Sequence, residues 1–297
     1  MVRIKVDNSS RLDSFLCSKL EKSRSKIQDM IKKGNIRVND NIVKSSYVVK
    51  VDDIIDVDDV SEEIVSVNPE KMDLDIVYED SDVIVVNKAN GVVVHPACGN
   101  SNGTLVNGLM FYSDSLSSVN GEFRPGIVHR IDAYTTGLLM VAKNDFSHES
   151  LARQLELKTT RRIYWALVWG VIPNDSGTID APIGRCSSDR KKMAVTSVNS
   201  KHAVTHFRVL ERYKRATLIE LSLETGRTHQ IRVHMSYIGY PIVNDPVYGK
   251  RKIIDETGQC LHAKVLGFKH PRTGEEMVFD SELPECFTNI LNMFKEE

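Results

Sequence analysis

From Leu74 onward the chain is written in short runs of β-branched and aromatic residues separated by turn residues. Ile76-Val77-Tyr78, Val83 to Val86, Val92-Val93-Val94, Gly137 to Ala142, Tyr164 to Val168, Thr205 to Leu210 and Leu218 to Leu223 all read as strands. Helical stripes are fewer, around residues 147–157, 229–238 and 284–295. Many strands without strict strand–helix alternation predict an α+β fold built on a mostly antiparallel sheet. Neither common Gly-rich phosphate loop is present.

The 297 residues are enough for two domains. With 41% hydrophobic and 27% charged residues, a packed core is expected and wholesale disorder is not. The net charge of −1 names no partner, but its distribution is uneven. Residues 1–50 carry a net +7, and residues 51–85 a net −12. A basic first segment followed by an acidic stretch predicts a small polyanion-binding module, a linker and then a second domain. The five cysteines (Cys17, Cys98, Cys186, Cys260 and Cys286) contain no Cys-x-x-Cys pair, which argues against a disulfide framework and a zinc knuckle. No apolar run is long enough to span a bilayer, and the first residues lack a secretory h-region. A soluble, cytoplasmic protein without membrane attachment is expected.

In the first segment Leu12, Phe15, Leu16 and Leu20 form one helical stripe, with Ser10 and Asp13 placed to cap its start. Ser23 could cap a second helix with Ile27, Met30 and Ile31 inward, stopped by Gly34. Ile36-Arg37-Val38, a turn at Asn39-Asp40-Asn41 and Ile42-Val43 read as a hairpin. Arg24, Lys32 and Lys33 avoid the apolar stripe, and with Arg37 they are candidates for one basic, RNA-binding face. Arg11-Leu12-Asp13, Ser23-Arg24-Ser25, Ile31-Lys32-Lys33-Gly34 and Val38-Asn39 make this segment resemble the S4-like RNA-binding module over about residues 9–57. The resemblance implies contacts mainly to RNA phosphates, which weaken as salt rises. The expected division is residues 1–57 for this module, 58–72 for an acidic linker, and 73–297 for a catalytic domain.

In the larger part, Arg124-Pro125-Gly126-Ile127-Val128-His129-Arg130-Ile131-Asp132 runs through Ala133-Tyr134-Thr135-Thr136 into the buried strand at Gly137-Leu138-Leu139. A loop carrying His, Arg and Asp that leads into a rigid sheet is where catalytic groups are commonly mounted. This segment resembles the His-Arg-Leu-Asp signature of the RluA/RluD-type pseudouridine synthases, and further motifs follow the same family in order. They are Val85-Val86-Asn87-Lys88 with Gly91 and Val94-His95-Pro96, then Tyr164-Trp165-Ala166-Leu167-Val168 with Gly170, then Asp180-Ala181-Pro182-Ile183-Gly184. Glu224-Thr225-Gly226-Arg227-Thr228-His229-Gln230-Ile231-Arg232-Val233-His234, Asp245-Pro246-Val247-Tyr248-Gly249 and Leu261-His262-Ala263 complete the set.

By this resemblance the chain is an isomerase that converts uridine to pseudouridine in RNA, with no cofactor and no metal. Asp132 is implied as the essential carboxylate, whether it attacks the sugar, attacks the base or deprotonates the sugar to a glycal. Arg232 is implied as its charge partner and Tyr164 as the ring that stacks on the target base. Arg232 is expected in the first turns of a helix with Ile231, Met235 and Ile238 at its apolar spacing. The uridine must be extruded from folded RNA, which costs a few kcal/mol. His129 and Arg130 are candidates to hold its backbone, with Arg185, Arg190, Lys191 and Lys192 as further RNA contacts.

The S4-like module points to large-subunit ribosomal RNA, or its precursor particle, as partner of a monomeric enzyme. The alternatives are action on tRNA and a non-catalytic RNA-binding ribosome-assembly factor. The chain departs from the family at Ala133, Tyr134, Thr135 and Thr136, where a basic residue, an acidic residue and Thr-Ser are usual, and at Asn90. A metal-dependent hydrolase fits poorly. His229 and His234 are five apart, and His202 and His206, though four apart, fall in a strand-like run.

Overall fold

The computed structural model describes residues 2–20, 24–58, 67–96, 100–121, 124–189, 192–249 and 253–296, with the backbone alone at 25 and 26. Ser23, Cys98, Arg190, Lys191 and the acidic residues Asp59, Glu62 and Glu63 lie outside the described residues. The chain divides into two units, residues 1–65 and 66–297.

The first unit contains β1 (Val2–Lys5), β2 (Ser10–Arg11), α1 (Leu12–Leu20), α2 (Arg24–Lys32), β3 (Ile36–Val38), β4 (Val48–Val49) and β5 (Ile54–Val57). Leu12, Phe15 and Leu16 of α1 and Ile27, Met30 and Ile31 of α2 share one core with Ile36, Val38 and Ile55. Gly34, at φ +80°, ends α2, and Asn35 N–H returns to Met30 C=O. Two expectations are corrected here. Ser10 does not cap α1, because it pairs with Val49 and the first helical N–H groups reach Tyr47 and Ser45 carbonyls instead. The hairpin reduces to a turn closed by Val38 and Asn41. The strand that pairs with β3 is β5, which brings Val57 opposite Ile36 and so completes the core.

The second unit opens with β6 (Asp75–Glu79), β7 (Val83–Lys88), α3 (Leu105–Tyr112), β8 (Thr136–Ala142), α4 (Asp145–Glu156) and β9 (Arg161–Trp169). β10 (Ser176–Asp180), β11 (Ile183–Arg185), β12 (Met193–Val195), β13 (Val204–Arg212) and β14 (Ala216–Leu223) follow. α5 (Gln230–Tyr237), β15 (Leu261–Lys269), β16 (Glu276–Asp280) and α6 (Glu285–Lys295) complete it. Nine strands form one sheet in the order β10-β13-β14-β9-β15-β8-β7-β6, with β16 added beside β15. Every pair in it is antiparallel except β15 with β8. The α+β, mostly antiparallel architecture is therefore as expected.

Val92-Val93-Val94 is not a strand. Val93 and Val94 carbonyls accept the first N–H groups of α3, and Val92 C=O accepts from Lys88 Nζ, so these groups serve as a helix cap and a clamp rather than a ladder. Val67, expected in a linker, is buried in the large core, and Asn107 N–H groups and C=O tie α3 to Asn68 and Glu70. At the sheet edge Arg272 grips buried Asp82 while His270 meets Asp80, joining the β6–β7 turn to the β15–β16 turn.

Candidate active site

Asp132 lies in the loop before β8, at the middle of the large sheet. Thr135 N–H donates to Asp132 C=O and tightens the loop. Buried Lys88 at the end of β7 donates from Nζ to the carbonyls of Ala89, Val92 and Ala133, at 2.7–2.8 Å. It thereby ties the loop to the neighbouring strand. Burial pushes Lys88 down to about 7, against the attraction of Asp132.

Arg232 enters from the first turn of α5. Its Nη1 donates to Asp132 Oδ2 at 2.9 Å, while Nε and Nη2 fork onto Asp245 at 2.7 and 2.9 Å. Asp245 has a fully buried side chain and also accepts the N–H groups of Val247 and Tyr248. Burial works against the charge on Arg232, but the bond to Asp245 and the charges of both carboxylates outweigh it and raise its pKa. Burial also opposes the charge on Asp245, and Arg232 overcomes that too, lowering its pKa. The result is a fixed chain, Asp245–Arg232–Asp132, in which the guanidinium points Asp132 into a cavity.

Tyr164, on β9, lines that cavity with Asp132, Leu261, Ile231 and Thr135. Burial raises its phenol pKa, so it acts as a neutral ring there. His229 precedes α5 at φ 56°, with Nε2 3.9 Å from Asp132 Oδ1 and Nδ1 2.8 Å from Tyr248 Oη. Burial lowers the pKa of His229 although Asp132 pulls the other way. Tyr248 also lies beneath the Arg232 guanidinium, 5.1 Å from ring centroid to Cζ. The Glu224–His229 loop is shaped by Gln230, whose side chain accepts from Thr225 Oγ1 and Arg227 N–H and donates to Val204 C=O.

Asp132, Tyr164 and Arg232, expected together from their sequence motifs, line one cavity. Asp245, Lys88, His229 and Tyr248 belong to the sequence motifs without a role of their own there, and the fold supplies one for each. Their only sequence signal was membership of those motifs. Of the expected RNA contacts, Arg130 is exposed at the mouth of the same cavity. His129 is instead half-buried and accepts Met140 N–H at Nε2, and burial pushes it down to about 3, so it is a neutral support of β8.

In the first unit Arg24 and Arg11 both fork onto Asp13, which Gln28 also reaches. Those bonds, Arg11's first, hold the buried Asp13 carboxyl far below the usual range. Arg37 pairs with Asp58 and Lys33 with Asp29, while Lys32 is exposed. Asp80, Asp82 and His270 bring three potential metal ligands together, but each is already hydrogen-bonded and none lines the Asp132 cavity.

The RNA pseudouridylate synthase family matches residues 82–237, which contain all of the Asp132–Tyr164–Arg232 site. The chain belongs to the RNA pseudouridylate synthase family. An S4 domain matches residues 10–55. The uncharacterized RNA pseudouridine synthase YlyB of Bacillus subtilis is 56% identical over 95% of this chain and 93% of its own. The ribosomal large subunit pseudouridine synthase D of Neisseria meningitidis serogroup B is 45% identical over 97% of this chain and 79% of its own. Among solved structures, human RNA pseudouridylate synthase domain containing 1 superposes with a TM-score of 0.59 at 26% identity, covering 76% of this chain and 96% of that one. As a pseudouridylate synthase, the chain is an isomerase acting on RNA. Its α+β sheet is the mount for the loop, strand and helix that bring the three residues together.

Proposed function

We propose that the Asp132 centre isomerises uridines of large-subunit ribosomal RNA, extruded into the cavity beside Tyr164. The observation that carries this is the Asp245–Arg232–Asp132 chain. It fixes one carboxylate oxygen of Asp132 on Arg232, and Asp132 lines a cavity together with the Tyr164 ring. In the reaction the N1–C1′ bond breaks, a C5–C1′ bond forms, N1 gains a proton and C5 loses one to water. Asp132 is the group that engages the nucleotide, Tyr164 stacks on the base, and Arg232 orients the carboxylate. Relatives named for the large ribosomal subunit, 45% and 42% identical, support that RNA class, as does the S4 match. The same reading has a monomer at work in the cytoplasm, its RNA held through phosphates by Arg24, Lys32, Lys33, Arg37 and Arg130.

Large-subunit ribosomal RNA carrying tritium at uridine C5 tests this, because forming the new carbon–carbon bond releases that tritium to water. Release is expected with the wild type and not with Asp132→Asn, while RNA affinity stays within about threefold. Release confined to tRNA would replace the substrate, and release by Asp132→Asn would remove the role of Asp132.

A further inference from the structure

Among the described residues, Arg162 is a buried cation without a counter-charge. It lies on β9 two residues before Tyr164, so both side chains leave the same face of the strand. Only 8% of it is exposed, yet its Nε has no hydrogen-bond partner, and no carboxylate pairs with it among the described residues. The other buried ions around the site are answered, Arg232 by two carboxylates and Lys88 by three carbonyls. An unpaired buried guanidinium is costly to the fold and needs a reason outside it.

Two features indicate what it awaits. Arg162 lines the Asp132 cavity and also a second, adjoining cleft in which Arg124, Arg130, Lys158 and Arg227 outnumber Glu156 and Glu224, the latter paired with Lys158. Gly226, which borders both, lacks a left-handed φ, but a Cβ there would stand 3.1 Å from Arg162 Nη1, so a glycine keeps the guanidinium's approach clear. A nucleotide turned into the Asp132 cavity stays tied to its strand by two phosphodiesters. One of these must pass where the cavity meets the basic cleft. A diester carries a full negative charge and two free oxygens matched to a guanidinium fork, whereas the ground-state uracil offers only neutral carbonyls.

We propose that Arg162 binds a phosphodiester flanking the uridine held at Asp132, at the passage from the basic cleft into the cavity. The inference rests on the uridine reading of that cavity.

Tritium release from the labelled ribosomal RNA is compared for wild type, Arg162→Met and Arg162→Lys. KM is expected to rise roughly tenfold to hundredfold in Arg162→Met, carrying the larger share of the loss, and Arg162→Lys to recover part of it. The Tm of Arg162→Met should not fall, since an unpaired buried charge is being removed. An unchanged KM overturns the assignment, as does a loss carried by kcat, which would place Arg162 on the reacting base. A second arm does not depend on the variants folding. In a short RNA around a mapped target uridine, a methylphosphonate replaces the diester on its 5′ or 3′ side. One of the two should raise the wild-type KM by a similar factor and add nothing in Arg162→Met. Indifference of the wild type to both also overturns the assignment. Absence of any release by the wild type would overturn the uridine reading and this inference with it, whereas the other adverse outcomes leave that reading standing.

Discussion

At the residue scale the site depends on one guanidinium serving two carboxylates. Arg232 spends Nε and Nη2 on Asp245 and has Nη1 left for Asp132, a division that only a planar fork with several donors can make. Lysine retains the charge but cannot hold both partners in fixed directions. Arg232→Lys is therefore expected to lower kcat for tritium release by more than about tenfold, with a smaller change in KM. Equal kcat in the variant would show that orientation of Asp132 does not matter.

At the scale of elements, the loop bearing Asp132 is aimed by how tightly β8 starts against β15. Gly137 sits at φ +106°, and a Cβ there would lie 2.3 Å from the carbonyl oxygen of Ala263 and 2.7 Å from its nitrogen. Both conformation and space require glycine at this parallel junction of β8 with β15. Gly137→Ala should cost roughly 3 kcal/mol or more, a Tm loss on the order of 5–10 °C, readable by thermal melting. An unshifted melt would mean that the β8–β15 junction yields easily. The α5 helix shows the reverse case. Its span and the place of Arg232 in its first turn were both legible from apolar spacing. α3 and the loop at 92–94 were not legible. There the β-branched run supplies carbonyls to a helix start and to Lys88, a use that no period in the sequence encodes.

At the scale of the whole molecule, several histidines are folded in as neutral rings. Burial pushes His262 down to about 4, where it bridges Thr136 and Ser281, and His95 to about 4. Between pH 6.5 and 4 the unfolded chain takes up these protons and the folded one does not, so stability falls as pH drops through that window. His262 alone is worth about 2 kcal/mol by pH 5. The urea midpoint should therefore be clearly lower at pH 5 than at pH 7, and an unchanged midpoint would contradict the burial of neutral histidines. The charge asymmetry of the chain makes a second prediction at this scale. Removing residues 1–57 should weaken RNA binding and flatten its dependence on salt in a titration series, because the basic residues of the first fifty are lost with it. An unchanged salt slope would place the phosphate contacts elsewhere.

The sequence by itself determined the strand-rich α+β class, the helices at Leu12, Arg24 and Gln230, and the family motifs that pick out Asp132, Tyr164 and Arg232. These follow from local periodicity, turn chemistry and motif order, all of which are properties of neighbouring residues. Tertiary structure alone decided which distant groups complete the charges. Asp245 lies 13 residues from Arg232, and Arg232 lies 100 from Asp132. Asp13 collects Arg11, Arg24 and Gln28, so Arg24 of the basic face expected from sequence also serves an internal carboxylate while its side chain stays half-exposed. Arg162 is the sharpest instance. In the sequence it is one cation among 39 Lys and Arg, and only the packing of β9 against the Gly226 loop shows that it is buried, without a carboxylate partner among the described residues, and at the wall of the site. Pairing of ions depends on distance and dielectric in the folded chain, and neither is written in the order of residues.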